Sequence, residues 1–567
     1  MTINTIILKE VGIFTELFLG ITLVYIILYG SFLAMINTHP ILQSALLKLS
    51  FLIIFFCCIL LANDKSAVLK VSACNNSIMS DYVTIASKIF IGIFCFLCLL
   101  LNQYYIINQK INQFEYIMLF LFSVLGFFFL CSANDLITSY LAIELQSLSF
   151  YVLAAFKRES TFSVDAGLKY FILGAFASSL FLLGSSLIYA YTGTLNFFDL
   201  KDLFFSTISC ENATTFDYLV LESQPLVTSF FYDNNFETAL VFFEHLVCTN
   251  SCYFIDVFNM DSYQQWFVNN IQHFLEYYIV LETNILKLAV LLLLISLFFK
   301  LALAPFHLWA PDVYEGSLLS STLFFAVMPK LGLFLLLTRL MYSAFYGFFE
   351  SFKHFIIIIA VMSVAVGSVA GLEQRKIKNL LAYSSISHMG YSLLAYGSGT
   401  LEGIQFLFCY LFIYMCSSTV IWAIFLLTRL KTKFFKKQNK DLTDFMLLVK
   451  SNKMLAIYLT IAMLSVAGVP PMVGFIVKFG VFLVSIGVYA YNAACISIVL
   501  SVVSTFYYIR IIKTLFFEQK RTGLLYYPIP DERVIIVVVL LYFLLFFFIN
   551  PNLLFLITYK ISLILLF

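Results

Sequence analysis

The chain has 567 residues, of which 62% are hydrophobic and 11% charged, with a formal net charge of +2. A soluble globular domain carries about 25% charged residues, and the mean hydropathy here is +0.98, so this chain is dissolved mostly in lipid. These values exclude a soluble enzyme, a disordered protein and a nucleic-acid binder, because so small a charge on 64.8 kDa makes no basic field. Long continuous apolar runs, rather than alternating stretches of about 10 residues, also exclude a membrane β-barrel. The sequence is that of an all-α polytopic membrane protein.

In chain order, hydropathy predicts membrane helices over 10–35, 41–62, 84–107, 114–133, 135–156, 164–191, 285–309, 318–343, 353–372, 378–397, 402–428, 453–485, 489–516 and 534–557, about 14 in all. Each approaches or exceeds the roughly 20 apolar residues that a span requires. Lys and Arg gather after odd-numbered spans: Lys157 and Arg158, then Arg375, Lys376 and Lys378, then a run from Arg429 to Lys453, then Arg510 to Arg533. By the positive-inside rule those loops face the cytoplasm or matrix, and both termini face the other side. Phe at 65 and Tyr at 34, against Trp at 3, suit an AT-rich organellar coding sequence. The start, MTINTIILKEVGIF, lacks the Arg-rich, acid-free pattern of an imported precursor, so the chain is expected to insert through its own spans.

Between the sixth and seventh spans, residues 199–283 hold twelve acidic residues and one basic residue, Lys201. This segment is expected on the outer side. Aromatic residues such as Phe242, Trp266 and Tyr277 are too many for a disordered acidic tail, and it reads as a folded insertion that docks on a neighbour. Cys248 and Cys252 within it could form a disulfide on an oxidising side. Cys95 and Cys98, on an apolar stretch, read as small hydrophobes.

Glu144, Lys169, Lys300, Lys330 and Lys478 fall well inside spans. Facing lipid, each costs roughly 2.5–3.5 kcal/mol on the insertion scale, so these residues are expected to pair or to line a hydrated cavity. Lys48, Lys287 and Arg339 lie nearer span ends and read as snorkelling. Two of the central lysines adjoin helix breakers. Lys300 stands five residues before Pro305, and Lys478 follows Gly468, Pro470, Pro471 and Gly474. Proline removes a backbone donor and clashes with the preceding turn, so both spans are predicted to be discontinuous, with freed carbonyls at mid-membrane.

Each broken span is the fourth of five in its group, 114–343 and 344–516. Five is odd, so the groups run in opposite orientations, as in inverted-repeat transporters. Residues 1–113 form a three-helix region outside the repeat, and 517–567 a C-terminal helix. His388 sits mid-span in AYSSISHMGYSLLAYG beside Ser384, Ser385 and Ser387. It either extends a polar proton file or is a hydrogen-bonded structural histidine. No span carries the two histidines of a haem site, and no GxGxxG or P-loop follows a strand, so no cofactor or metal is expected in this chain.

The segments NDLITSYLAIELQSLSFYVLAAFKRES (134–160), DAGLKYFILGAFASSLFLLG (165–184), FFKLALAPFHLWAPDVYEGS (298–317), LEQRKIKNLLAYSSISHMGY (372–391) and LSVAGVPPMVGFIVKFGVF (464–482) resemble the antiporter-like membrane subunits of respiratory complex I. The subunit 2 branch is the nearest; subunits 4 and 5 and the multisubunit cation/proton antiporters are broader relatives. The likeness runs from about residue 114 to 516. It implies that Glu144 is the carboxylate of the fifth span and Lys300 its partner on the broken seventh. Lys330 is then the central relay, Lys478 the lysine of the second half-channel, and Lys169 a lysine of the sixth span.

The resemblance also implies that FMN, iron–sulfur clusters and ubiquinone lie in other subunits of the complex. Its implied partners are other membrane-arm subunits, adjacent antiporter-like ones among them, with lipids and with supernumerary subunits at 199–283. The implied location is the mitochondrial inner membrane, with the termini and 199–283 toward the intermembrane space. The insertion is where this sequence departs from the family.

The expected chemistry is proton transfer between buried groups. An ionised Glu144 close to Lys300 holds it as the ammonium; parting the pair leaves a lone charge in a low-dielectric site, and the proton is expelled toward Lys330 and on to Lys478. Two other readings use the same fold: a subunit of a stand-alone cation/proton antiporter, and a structural subunit that does not pump. Retention of every central charge argues against the last, since an idle subunit has no use for residues that oppose insertion.

Overall fold

A computed structural model describes residues 12–36, 39–64, 71–109, 114–211, 284–431, 436–438, 441–518 and 531–566. Cys248, Cys252 and residues 212–283 of the insertion lie outside the described residues. In lipid a backbone must satisfy its own polar groups, so the apolar runs close into helices. Helices α1 (Phe14–Ile36), α2 (His39–Asn63) and α3 (Tyr82–Gln109) come first. Strands β1 (Val71–Ala73) and β2 (Ile78–Ser80) form an antiparallel hairpin between α2 and α3, with Val71 opposite Ser80.

The first five-helix group opens with α4 (Glu115–Ser132), α5 (Leu136–Ala154) and α6 (Thr161–Thr192), after which α7 (Phe197–Glu211) begins the insertion. Helix α8, residues 284–300, stops at Lys300; after a non-helical stretch the chain resumes as α9 (Trp309–Gly316) and α10 (Leu319–Arg339). The second group holds α11 (Tyr346–Glu373), α12 (Ile377–Tyr396) and α13 (Leu401–Leu427). It continues as α14 (Lys453–Ala467), α15 (Val473–Gly487) and α16 (Tyr491–Phe516), and α17 (Asp531–Ile549) and α18 (Asn552–Leu566) end the chain.

Each of the fourteen expected stretches holds helix among the described residues. Among the described residues, ten helices are long and apolar enough to cross a membrane. Helix α12 is less apolar, but neighbours bury nearly all of it, which shelters its serines and His388. The seventh and twelfth stretches are broken where Pro305 and Pro470–Pro471 fall. The last stretch, expected as one helix, is instead α17 and α18 meeting at 86°. Pro551 explains this, since the residue before a proline is driven out of helical geometry.

Helices α10 and α13 run through the centre and are almost wholly buried, whereas α6 and α16 lie at the rim and turn Phe171, Phe176, Val499 and Phe506 outward. At the basic face, Lys376 at the start of α12 pairs with Glu315 of α9, and Asn379 Nδ2 donates to the other Glu315 oxygen at 2.6 Å. Burial alone would raise the Glu315 carboxyl, yet Lys376 and Asn379 hold it below the usual carboxylate range.

One ion pair ties the first helix to the third, and a second ties this region to the rest of the bundle. Glu16 on α1 and Lys88 on α3 pair out of contact with solvent, and Ser132 Oγ of α4 donates to the same carboxylate at 3.1 Å. Arg339, expected to snorkel, is buried instead: Nη2 donates to the two Asp81 oxygens at 3.1 and 3.2 Å, and Nη1 to the Ala133 carbonyl at 3.2 Å. The β1–β2 hairpin carries Asp81 over the end of α10, so the arginine meets a carboxylate before it can reach water.

Candidate proton-transfer axis

Helix α5 sets Glu144, Ser147 and Tyr151 at spacings of three and four residues, which puts them on one helical face. Lys300, at the end of α8, donates to the Tyr151 hydroxyl at 3.2 Å. Gly174 on α6 makes room for that hydroxyl, since a Cβ there would lie 2.0 Å from it. Ser147 Oγ stands 3.4 Å from Glu144 Oε2, while Glu144 Oε1 is buried with no hydrogen-bond partner. Among the described residues no ion pair joins Glu144 to Lys300; Tyr151 holds the lysine instead.

The break in the helix shapes the rest of this half. Beyond Lys300 the chain turns through Ala302, at φ 59°. Trp309 Nε1 donates to the Phe299 carbonyl at 2.9 Å, satisfying one of the acceptors that a helix end frees. Ala302, Ser147, Lys300, Lys330 and Ser385 line a cavity of about 20 Å³, room for about one water.

Lys330 is buried on α10, next to Pro329. Its Nζ donates to the Tyr414 hydroxyl of α13 at 2.5 Å and lies 4.3 Å from that ring's centroid. Tyr414 also lines a second cavity of about 20 Å³, together with His388, Tyr410, Ser417 and Lys478. Lys478, on α15, donates to the Ala467 carbonyl at 2.9 Å, an acceptor exposed where α14 ends. The second break thus gives its lysine a partner, as the sequence pattern leads one to expect of a freed carbonyl.

Gly468 makes that end possible: its φ is +80°, and a Cβ there would meet Lys478 Cδ at 2.8 Å. Gly468→Ala is expected to cost about 1–2 kcal/mol in backbone strain alone and to push Lys478 off Ala467. The protein's thermal stability should fall; a wild-type value would show that the loop accommodates the methyl group.

His388 is hydrogen-bonded at both ring nitrogens, Nδ1 to the Tyr410 hydroxyl at 2.6 Å and Nε2 to that of Tyr508 at 3.0 Å. The ring is therefore satisfied, as a structural histidine would be, and it also lines the second cavity, as a relay would. Lys169 stands apart from the others. It projects from the outward face of α6, its side chain is 58% exposed, and it pairs with Asp312 of α9 at 2.5 Å. Lys169, expected to pair or to line a cavity, does pair, but at the rim: α6 packs inward through Ala166, Gly167 and Tyr170, so position 169 comes out on the surface, away from the two cavities.

Sequence reasoning passed over Tyr151, Tyr414, Tyr410 and Tyr508, whose hydroxyls meet the charged and imidazole groups. Among 34 tyrosines nothing distinguishes these four, except that Tyr151 falls seven residues, about two turns, after Glu144.

Two broken helices, each bringing a lysine to a cavity within an α-helical bundle, define an antiporter-like membrane subunit. Residues 133–223 and 215–504 match the family described as "NADH:quinone oxidoreductase/Mrp antiporter, TM", and the chain belongs to that family. It is similar to NADH-ubiquinone oxidoreductase chain 2 of Marchantia polymorpha, 34% identical over 490 residues, 86% of this chain and 85% of that one. It is also similar to NADH-quinone oxidoreductase subunit N of Paramagnetospirillum magneticum, 35% identical over 415 residues, 73% of this chain and 70% of that one. Among solved structures, a chain of respiratory complex I from Thermus thermophilus with bound Aureothin shares the fold, with a TM-score of 0.68 at 24% identity, covering 95% of this chain and 98% of that chain.

Proposed function

We propose that this chain is a core membrane-arm subunit of a proton-pumping NADH:ubiquinone oxidoreductase, and that it moves protons through Glu144, Lys300, Lys330 and Lys478, with His388 beside the last step. The observation that carries this reading is the bond from Lys330 to Tyr414 between two small cavities, one lined by Lys300 and the other by Lys478. The two inverted five-helix repeats are 114–343 and 344–516, and the path crosses from the first to the second. The alternative of a non-pumping subunit leaves these lysines, each costly in a membrane, without a reason.

Lys300 alternates between two partners. Bonded to Tyr151 it is clear of Glu144; brought against Glu144 it is held as the ammonium. At an effective dielectric of about 20, two unit charges about 4 Å apart attract by about 4 kcal/mol. Moving one charge against 150 mV takes roughly 3.5 kcal/mol. Making and breaking one such pair is therefore on the scale of the work required. When the pair opens, the proton passes to Lys330 through the first cavity and then toward Lys478. Lys169, paired with Asp312 at the rim, takes no part in this sequence.

Redox chemistry, with FMN, iron–sulfur clusters and ubiquinone, belongs to other subunits. The chain sits in the mitochondrial inner membrane, its basic loops toward the matrix and its termini and 199–283 toward the intermembrane space. Its partners are neighbouring antiporter-like subunits, lipids at the rim and supernumerary subunits at 199–283. A stand-alone cation/proton antiporter subunit is the second reading, because the family description spans both kinds of protein. A native gel of gently solubilised source membranes, stained for NADH oxidation and probed for peptides of 199–283, separates the two. Co-migration with a very large NADH-active band is expected; a smaller assembly without that activity would favour the antiporter.

A further inference from the structure

We infer that the Tyr414 hydroxyl is the bridge by which a proton crosses from the first half of the axis to the second. The inference rests on the pumping role proposed above and adds a residue to it. The two cavities share no lining residue, so a carrier in one does not open directly onto the other. Tyr414 is the side chain that meets both: it accepts from Lys330, which lines the first cavity, and it lines the second with His388 and Lys478. The hydroxyl can donate to the Ala326 carbonyl at 3.4 Å, a long bond, and Ser385 of the first cavity also reaches it. A phenol both donates and accepts, and a proton held by so long a bond is readily redirected into the second cavity.

The step balances with one water, for which that cavity has room. An N–H bond of the Lys330 ammonium breaks as an O–H bond forms at Tyr414. The original phenolic proton leaves for the water, which becomes hydronium and gives its extra proton to the free amine of Lys478. Lys330 ends as a neutral amine, Tyr414 is again a phenol and Lys478 is the ammonium. His388, its ring held by Tyr410 and Tyr508, borders the transferring water. The phenyl ring has a separate duty, since its face lies 4.3 Å from the Lys330 nitrogen.

The test uses Tyr414→Phe, Tyr414→His and Lys330→Met in the assembled complex, in sealed membrane vesicles. Subunit content, NADH oxidation and protons moved per NADH are measured for each. Tyr414→Phe keeps the ring but lacks the hydroxyl. It is expected to assemble normally and to drop to the proton yield of Lys330→Met, while Tyr414→His, which again carries a proton, recovers part of it. A wild-type yield in Tyr414→Phe beside a loss in Lys330→Met overturns the bridge and leaves the relay standing. A wild-type yield in Lys330→Met overturns the relay and the bridge with it. Equal failure of the Phe and His variants, in yield or in assembly, assigns Tyr414 to packing and also overturns the bridge.

Discussion

Lys300→Met is expected to stop proton transfer through this subunit while the complex still assembles and oxidises NADH. Methionine keeps an unbranched stem at the end of α8, and it removes a charge whose insertion costs roughly 2.5–3.5 kcal/mol, so folding gains rather than suffers. The lost partner of Tyr151 is a single hydrogen bond between side chains, worth about 0.5–1.5 kcal/mol net. The effect on transport is larger. A positioned proton carrier accelerates transfer by roughly 10²–10⁴-fold, and among the described residues lining the first cavity Lys300 and Lys330 are the two amines. Protons moved per NADH, read in sealed vesicles against complex content on native gels, should fall sharply at unchanged assembly. A wild-type proton yield in this variant would sink the relay.

The membrane helices were legible because lipid imposes a single rule on the backbone, and a long apolar run has one way to obey it. The two breaks were legible for a related reason: Pro305 and Pro470–Pro471 remove donors where none can be spared. The direction of a side chain was not. Lys169 and Lys330 look alike in the sequence, yet one emerges at the rim and the other is buried on a central helix, because the packing of α6 and α10 decides which face turns inward. Tyr151 intervenes between Glu144 and Lys300 for the same reason: the register of α5 against α8 depends on contacts remote in the chain. Arg339 looked like a snorkelling residue because its partner, Asp81, lies 258 residues away on the β1–β2 side of α3. The 86° bend at Pro551 shows the other limit, since a proline announces a break but not the angle that packing gives it.

The buried pair of Glu16 and Lys88 escaped notice because each lies near the start of its helix, where charges ordinarily reach water. Here α1, α3 and α4 close over them, and both side chains are at most 1% exposed. Lys88 and Ser132 donate to one Glu16 oxygen and Thr15 Oγ1 donates to the other at 2.7 Å. Glu16→Ala leaves an ammonium buried without its counter-charge, and removing one partner of such a pair costs about 3–5 kcal/mol. The expected result is a complex that loses this subunit at a lower temperature and accumulates poorly. Replacing both residues by methionine should recover most of the stability, since an apolar pair of similar volume is commonly neutral or better by about 1–4 kcal/mol. The comparison is read as the temperature at which the subunit leaves the complex on native gels. A double variant no more stable than Glu16→Ala would mean that the stranded charge is not what destabilises the joint of α1, α3 and α4. Neither residue lines the two cavities of the proton axis, so the double variant should also keep a wild-type proton yield. If it assembled well and yet failed to pump, Glu16 and Lys88 would belong to the conduction path rather than to the joint between the helices.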